Sequence, residues 1–358
     1  MLCCTECFTD SEIKAIIEGN KKYGDCDFCG SKNVNVYELE HNHIITELLD
    51  DLLDIYSPES SLPSNFPKEH TKLLKNILYD TWNIFNLKPD QIDCLIKILC
   101  ANRYKSQPEL FDTPVGIKQS HDKDWLEEKS ILKENEWSDF VNGIKNINRF
   151  HSHYINTEKL SVFLRCAAKV YRKGHVFYRA RICHGASGLK KTEMGAPPPH
   201  KASAGRVNPS GISILYLADS AETTLYEIRA RVYDYVTIGR FKLQEDIKII
   251  NLAGIDSISP FIGMNQGFEF LDYALNIEHL RMIAQEIAKP LRNDNILDYI
   301  PTQYISDYIR SKNYDGIEYN STMHKGGTNF ALFDSKLVRC TRTSVYDIKE
   351  INYKYDKL

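Results

Sequence analysis

The sequence predicts an α+β chain in three parts: a small cysteine-rich module over residues 1–45, a helical domain over 46–165 and a β-sheet core with flanking helices over 166–350. Three observations predict it. Five of the ten cysteines fall within the first 29 residues. Apolar residues in the next segment recur at the helical period. From residue 166 onward, short β-rich runs alternate with helical stretches.

Composition bounds the function. With 42% hydrophobic and 26% charged residues in 358, this is an ordinary globular chain long enough for two or three domains. No apolar run approaches the roughly 18 residues of a membrane span, so no membrane association is expected. Met1-Leu2-Cys3-Cys4-Thr5-Glu6 has neither a basic n-region nor an apolar h-region, and cytoplasm is the expected compartment. Residues 1–160 carry 18 Lys and Arg against 27 Asp and Glu, a net of −9; residues 161–358 carry 27 against 21, a net of +6. The basic half suits an anionic ligand. Neither half has the basic excess of a dedicated nucleic-acid binder, so nucleic acid is not an expected partner.

In the first module, Cys4-x2-Cys7 and Cys26-x2-Cys29 stand 18 residues apart. Two such pairs match a four-thiolate tetrahedral zinc site in which each pair forms a tight knuckle, and Gly30 gives the second knuckle a permissive backbone. Cys3 in place of Cys4, and His41 or His43, are weaker alternatives. Four protein ligands leave the metal no open position, so a structural zinc is expected.

The helical middle follows from Ile44-Ile45…Leu48-Leu49…Leu52-Leu53, from Leu73-Leu74…Ile77-Leu78…Trp82…Phe85, and from the apolar run Ile92–Leu99. Trp125 to Phe150 reads as one or two more helices. Tyr56-Ser57-Pro58 to Pro67, rich in Ser and Pro, reads as a loop.

The third part carries the chemistry. Arg179 follows the β-like run Val176-Phe177-Tyr178, and a strand-end arginine presents a planar fork of donors that matches phosphate; a surface salt bridge is the plain alternative. Arg181 falls on the same side of the strand. Met194-Gly195-Ala196-Pro197-Pro198-Pro199-His200 is a loop, read as a flap over the site. Gly205-Arg206-x-Asn208-x-x-Gly211 leads into the strand Ile212–Ala218 and makes Arg206 a second phosphate candidate. Because it precedes a strand, it is not a dinucleotide-fold glycine loop. Asp219-Ser220-Ala221-Glu222 reads as a capping box, which accounts for Glu222. Glu227 lies deeper in that helix, where an i,i+4 pair with Arg231 competes with a place over the strand near Tyr216 and Arg179. A carboxylate there suits an oxocarbenium-like transition state. Ser321, just past a strand, precedes Gly326-Gly327-Thr328-Asn329-Phe330. No nucleophile elbow surrounds it, so a serine hydrolase is a poor alternative.

Taken together, Tyr178-Arg179, Gly205-Arg206-x-Asn208-x-x-Gly211, Leu215-Tyr216-Leu217-Ala218, Glu227, Gly316-Ile317-x-Tyr319-x-Ser321 and Gly326-Gly327-Thr328-Asn329 resemble the RES domain over residues 170–345, named for its Arg, Glu and Ser. Its best-known members are bacterial toxins that destroy NAD and have a fold similar to ADP-ribosyltransferases. The resemblance implies an ADP-ribosyltransferase-like core and catalytic roles for Arg179, Tyr216, Glu227 and Ser321. Arg206, Asn329 and Arg181 would line the substrate. The N-terminal part resembles the HEPN-related domain found fused to some RES domains. However, Arg149-Phe150-His151-Ser152-His153 lacks the HEPN nuclease spacing, and no nuclease is assigned. Against the compact toxins the chain has an insertion around residues 183–204 and an added N-terminal half. The implied activity is cleavage of the nicotinamide–ribose bond of NAD, a substrate here and not a recycled cofactor, by glycohydrolysis or phosphorolysis. The implied partners are an antitoxin or regulatory protein and a second copy of the chain. ADP-ribosyl transfer to a macromolecule and a non-catalytic zinc-containing binding module are the rival readings.

Overall fold

The computed structural model describes residues 1–39, 43–263, 267–290 and 295–351. The chain forms two compact units, one of residues 1–137, 153–162 and 256–281, the other of 138–152, 163–255 and 282–358.

The first unit opens on strand β1 (Leu2–Cys4), which pairs antiparallel with β3 (Val34–Glu38), itself paired with β2 (Tyr23–Gly24). Between them runs the helix Ser11–Gly19. Asp10 caps it, its Oδ1 accepting from the Glu12 and Ile13 amides at 3.0 Å, and it buries Ile13 and Ile17. The expected helix at residue 44 runs Ile44–Leu53 and buries Ile45, Leu49, Leu52 and Leu53, one apolar stripe. The next begins at Leu74, passes into a π-helical turn Leu78–Trp82, and stops at Asn83 in the left-handed conformation (φ 51°). Trp82 is buried there, donating Nε1–H to the Tyr56 hydroxyl at 2.7 Å and stacking on Tyr273. The apolar run Ile92–Leu99 lies in the helix Pro89–Leu99, and the Trp125–Phe150 stretch overlaps the helix Lys123–Lys129, while its later elements, Trp137–Asn142 and a π-helical turn Gly143–Ile147, fall in the second unit from residue 138 on. The segment expected to be helical also contains a small sheet, ordered β4 (Ser57–Pro58), β6 (Pro114–Gly116), β5 (Lys72–Leu73). Strands of two or three residues are too short to show an alternation.

The second unit is built on an eight-stranded sheet. In chain order its strands are β7 (Ala168–Tyr171), β8 (Val176–Cys183), β9 (Leu215–Ala218), β10 (Tyr235–Leu243), β11 (Ile247–Asn251), β12 (Gly316–Asn320), β13 (Thr328–Leu332) and β14 (Val338–Asp347). Across the sheet they run β14-β10-β8-β9-β13-β12-β11-β7. Every pair is antiparallel except β11–β12. Alternation divides the side chains between two faces. Phe177, Leu215, Leu217, Phe241, Leu243, Phe330 and Leu332 form one core cluster. Ala180, Val236 and Ile238 form another, against Leu225 and Ile228 at the Ala221–Glu227 helix. One irregularity positions the site: β8 and β9 share a single registered pair, Tyr178↔Ala218, whereas β8 and β10 share eight. The sheet therefore parts between its third and fourth strands. Among the described residues no helix is long and apolar enough to cross a membrane.

Candidate functional site

A cavity of about 310 Å³ opens where β8 and β9 part. Its walls include Tyr178, Arg179 and Ala180 of β8 and Tyr216, Leu217 and Ala218 of β9. Gly205 and Arg206 of the preceding loop, Glu227 of the helix, Tyr319 of β12 and Asn329 of β13 complete much of the lining. Of the seven candidate catalytic and substrate residues, Arg179, Tyr216, Glu227, Arg206 and Asn329 line this one cavity; Ser321 reaches it through Glu227.

Glu227 is the last residue of its helix. The i,i+4 geometry with Arg231 therefore does not form; Arg231 lies past the end, its amide bonded to Asp234 Oδ2. Glu227 Oε1 instead accepts from Ser321 Oγ at 2.6 Å and Asn329 Nδ2 at 2.7 Å. That leaves Oε2 without a protein partner among the described residues. Ser321 is fixed in turn: its Oγ accepts from the amides of Met323 (3.2 Å) and His324 (3.0 Å), and its own amide donates to Gly327 O. The His324 ring ties this loop to the carboxylate's helix. Its Nδ1 shares a hydrogen with Thr223 Oγ1 at 2.9 Å, and the ring stacks on Tyr226 with centroids 4.8 Å apart. Ser321, one of the two donors to Glu227, is thus held in place before any ligand arrives.

Arg179 sits within β8, not at a strand end, because pairing with β10 carries the strand on to Cys183. Its Nη1 donates to Gly195 O at 2.9 Å, and it forms no salt bridge among the described residues. Burial, with a smaller push from the neighbouring Arg181 charge, lowers its pKa to about 10. A half-buried guanidinium with no carboxylate beside it among the described residues invites an anion. Arg206 is anchored the same way, Nη1 to Ala288 O at 2.8 Å. Tyr216 donates to Asn208 Oδ1 at 2.7 Å, and burial pushes its phenol far up, so it stays protonated. Arg181 is exposed, donates to Glu193 O and does not line the cavity.

Two readings change. The Met194–His200 loop is no free flap: Met194 is fully buried in the sheet core, Gly195 O holds Arg179, and Pro197 O accepts from Ser213 Oγ. The helix cap falls on Ser220, whose Oγ accepts from the Thr223 amide, one residue later than the capping box required. Glu222 is therefore an exposed first-turn residue, 3.8 Å from His324 Nε2. Tyr178 and Tyr319 stand in the motif pieces without an assigned role, and Thr224 and Tyr299 were not singled out, yet all four line the cavity. Tyr319 shares a strand side with Ser321 two residues on, a relation alternation could have used; nothing in the sequence around Tyr299 points to it.

In the first unit, Cys4, Cys7, Cys26 and Cys29 gather with all four sulfurs within 4.8 Å of one another. Cys4–Cys29 and Cys7–Cys26 are 3.4 Å apart and Cys4–Cys7 3.9 Å. Tetrahedral zinc with bonds of about 2.3 Å separates its sulfurs by about 3.8 Å, so the set fits. The amides of Phe28 and Cys29 point at Cys26 Sγ, and Gly30 turns at φ +75°. Cys3 pairs with Tyr37 in β1, and His43 precedes the Ile44–Leu53 helix; neither joins the four. His41 lies outside the described residues.

With this geometry in hand, comparison with known proteins defines the class. The RES domain family model matches residues 176–356, just over half of the chain. The chain belongs to the RES domain family. A chain of the solved M. tuberculosis MbcT-MbcA toxin-antitoxin complex is similar over 53% of this chain and 94% of its own length, at 12% identity and a TM-score of 0.31. No curated protein matches.

Proposed function

We propose that the chain degrades NAD by breaking the bond between nicotinamide and ribose, as a toxin or defence effector that depletes the dinucleotide. The observation that carries this reading is Glu227. Its Oε1 is saturated by Ser321 and Asn329 while Oε2 is free, in a cavity that also holds two arginines with no carboxylate partner among the described residues. Arg179 and Arg206 bind the diphosphate, Tyr216 lies against the nicotinamide riboside, and Oε2 takes the ribose hydroxyls. As the bond between ribose C1′ and the ring nitrogen lengthens, its electron pair passes to nitrogen and neutralises the pyridinium. Positive charge builds on the ribose, where a fixed carboxylate stabilises it. Water or phosphate then bonds to C1′, and water gives up a proton.

The reading extends to the rest of the chain. The core is ADP-ribosyltransferase-like. Residues 1–45 are a zinc module in which Cys4, Cys7, Cys26 and Cys29 hold the metal, and four thiolates leave it no open position. Residues 46–165 are HEPN-related, residues 166–350 the catalytic RES domain, and a partner protein holds the activity in check.

The test incubates purified protein with NAD, with and without phosphate, beside Arg179→Ala and Glu227→Ala. Loss of NAD in the wild type alone is expected. Intact NAD with folded protein sinks the reading, and equal activity in both variants sinks the site. Label transferred from NAD to a macromolecule would mean ADP-ribosylation instead.

A further inference from the structure

The loop that brings Arg206 to the cavity has an uncommon anchorage. Four consecutive carbonyls, Gly205 to Asn208, are each taken by a side chain of the Ile300–Ser311 helix. Gln303 Nε2 donates to Gly205 O (2.8 Å) and Asn208 O (2.9 Å), Thr302 Oγ1 to Arg206 O (2.6 Å) and Ser306 Oγ to Val207 O (2.8 Å). Thr302 and Ser306 are buried, and residues 302, 303 and 306 share one helix face. In a trans peptide the carbonyl and the following amide N–H point in opposite directions. Turning these carbonyls onto the helix therefore turns the Arg206 and Val207 amides away from it. The Val207 amide faces the Tyr216 hydroxyl. The Arg206 amide meets no acceptor among the described residues, and Gly205 and Arg206 both line the cavity. Gly205 admits no side chain, since a Cβ would fall 2.7 Å from both Tyr216 Oη and Asn208 Oδ1.

We infer that Thr302, Gln303 and Ser306 are positioning residues: by strapping the Gly205–Asn208 turn they preset its Arg206 amide and guanidinium for the diphosphate of the substrate, and so set the affinity of the cleft for anions. Identifying that anion as the diphosphate of NAD rests on the proposed activity; the strap itself does not. Gln303 bridges both ends of the turn.

The full chain is compared with Gln303→Leu, Thr302→Val and Thr302→Ser by calorimetric titration with inorganic pyrophosphate and by amide hydrogen exchange over residues 203–211. Gln303→Leu and Thr302→Val are expected to speed exchange across the turn and weaken pyrophosphate about tenfold, the size of effect expected for a lost hydrogen bond to a buried carbonyl. Thr302→Ser keeps the hydroxyl and is expected to stay within about twofold, and, where NAD is consumed, the effect falls on KM more than kcat. A Gln303→Leu variant that lowers only Tm, with exchange and pyrophosphate affinity unchanged, overturns the inference, as does a wild type that binds no pyrophosphate. Pyrophosphate binding that depends on Gln303 alongside intact NAD would instead keep the strap and sink the NAD reading. Should Gln303→Leu not fold, Thr302→Val against Thr302→Ser decides alone.

Discussion

At the residue scale, the site is a carboxylate held by two donors and a guanidinium held by a carbonyl. Ser321→Ala removes one charge-assisted bond from Glu227 and is expected to slow NAD loss about ten- to a hundredfold, checked by single-turnover rates; Glu227→Gln is expected to cost at least about 10²-fold with Tm nearly unchanged. The Arg179 pKa of about 10 sets a sign for pH. Below it the guanidinium is charged and binds the anion; as pH rises through it, charge and affinity are lost together. The affinity for ADP-ribose, whose diphosphate diester has no proton to lose there, should be level near neutrality and fall as pH passes about 10, which calorimetry across that range would measure. Five of the seven candidate residues line one cavity, and each stood in a local pattern: a glycine turn, a β-rich run, a helix beyond its first turn. Arg181 shares the side of the strand with Arg179, but alternation sets the side, not the depth, and it sits at the surface. Tyr299 is brought in by the start of a helix far along the chain, which no local pattern reveals.

At the element scale, the loop Ser321–Gly327 couples to the Glu227 helix through His324 and Thr223. A Cβ on Gly327 would fall 2.6 Å from Thr223 Oγ1 and 2.9 Å from His324 Nδ1, so Gly327→Ala is expected to lower both Tm and activity, whereas His324→Ala should lower activity with a smaller change in Tm. Melting curves beside NAD turnover would separate them. The cysteine module makes its own prediction. Elemental analysis should find about one zinc per chain and almost none in Cys26→Ser, since a tetrahedral thiolate site rarely survives the loss of a ligand. Periodicity was a good guide to helices such as Ile44–Leu53 and Pro89–Leu99, where one stripe is buried. It was blind to β4, β5 and β6, which are too short, and to the parting of β8 from β9, because register is a property of two strands and not of either sequence.

At the scale of the whole molecule, the catalytic proposal needs one feature above the rest: a family of motif pieces, spread from Tyr178 to Asn329, folded around a single opening in the sheet. The texture change near residue 166 and the net +6 of the later residues were legible as composition, and they fit an anionic substrate. The acceptor was not legible, because water and phosphate leave no mark on the residues that hold NAD. The most direct measurement is therefore NAD itself: purified chain and Glu227→Gln incubated side by side, with and without phosphate, and the products separated. The account predicts free nicotinamide from the wild type and almost none from the variant; NAD left intact by a folded wild type, or nicotinamide released equally by both, would contradict it.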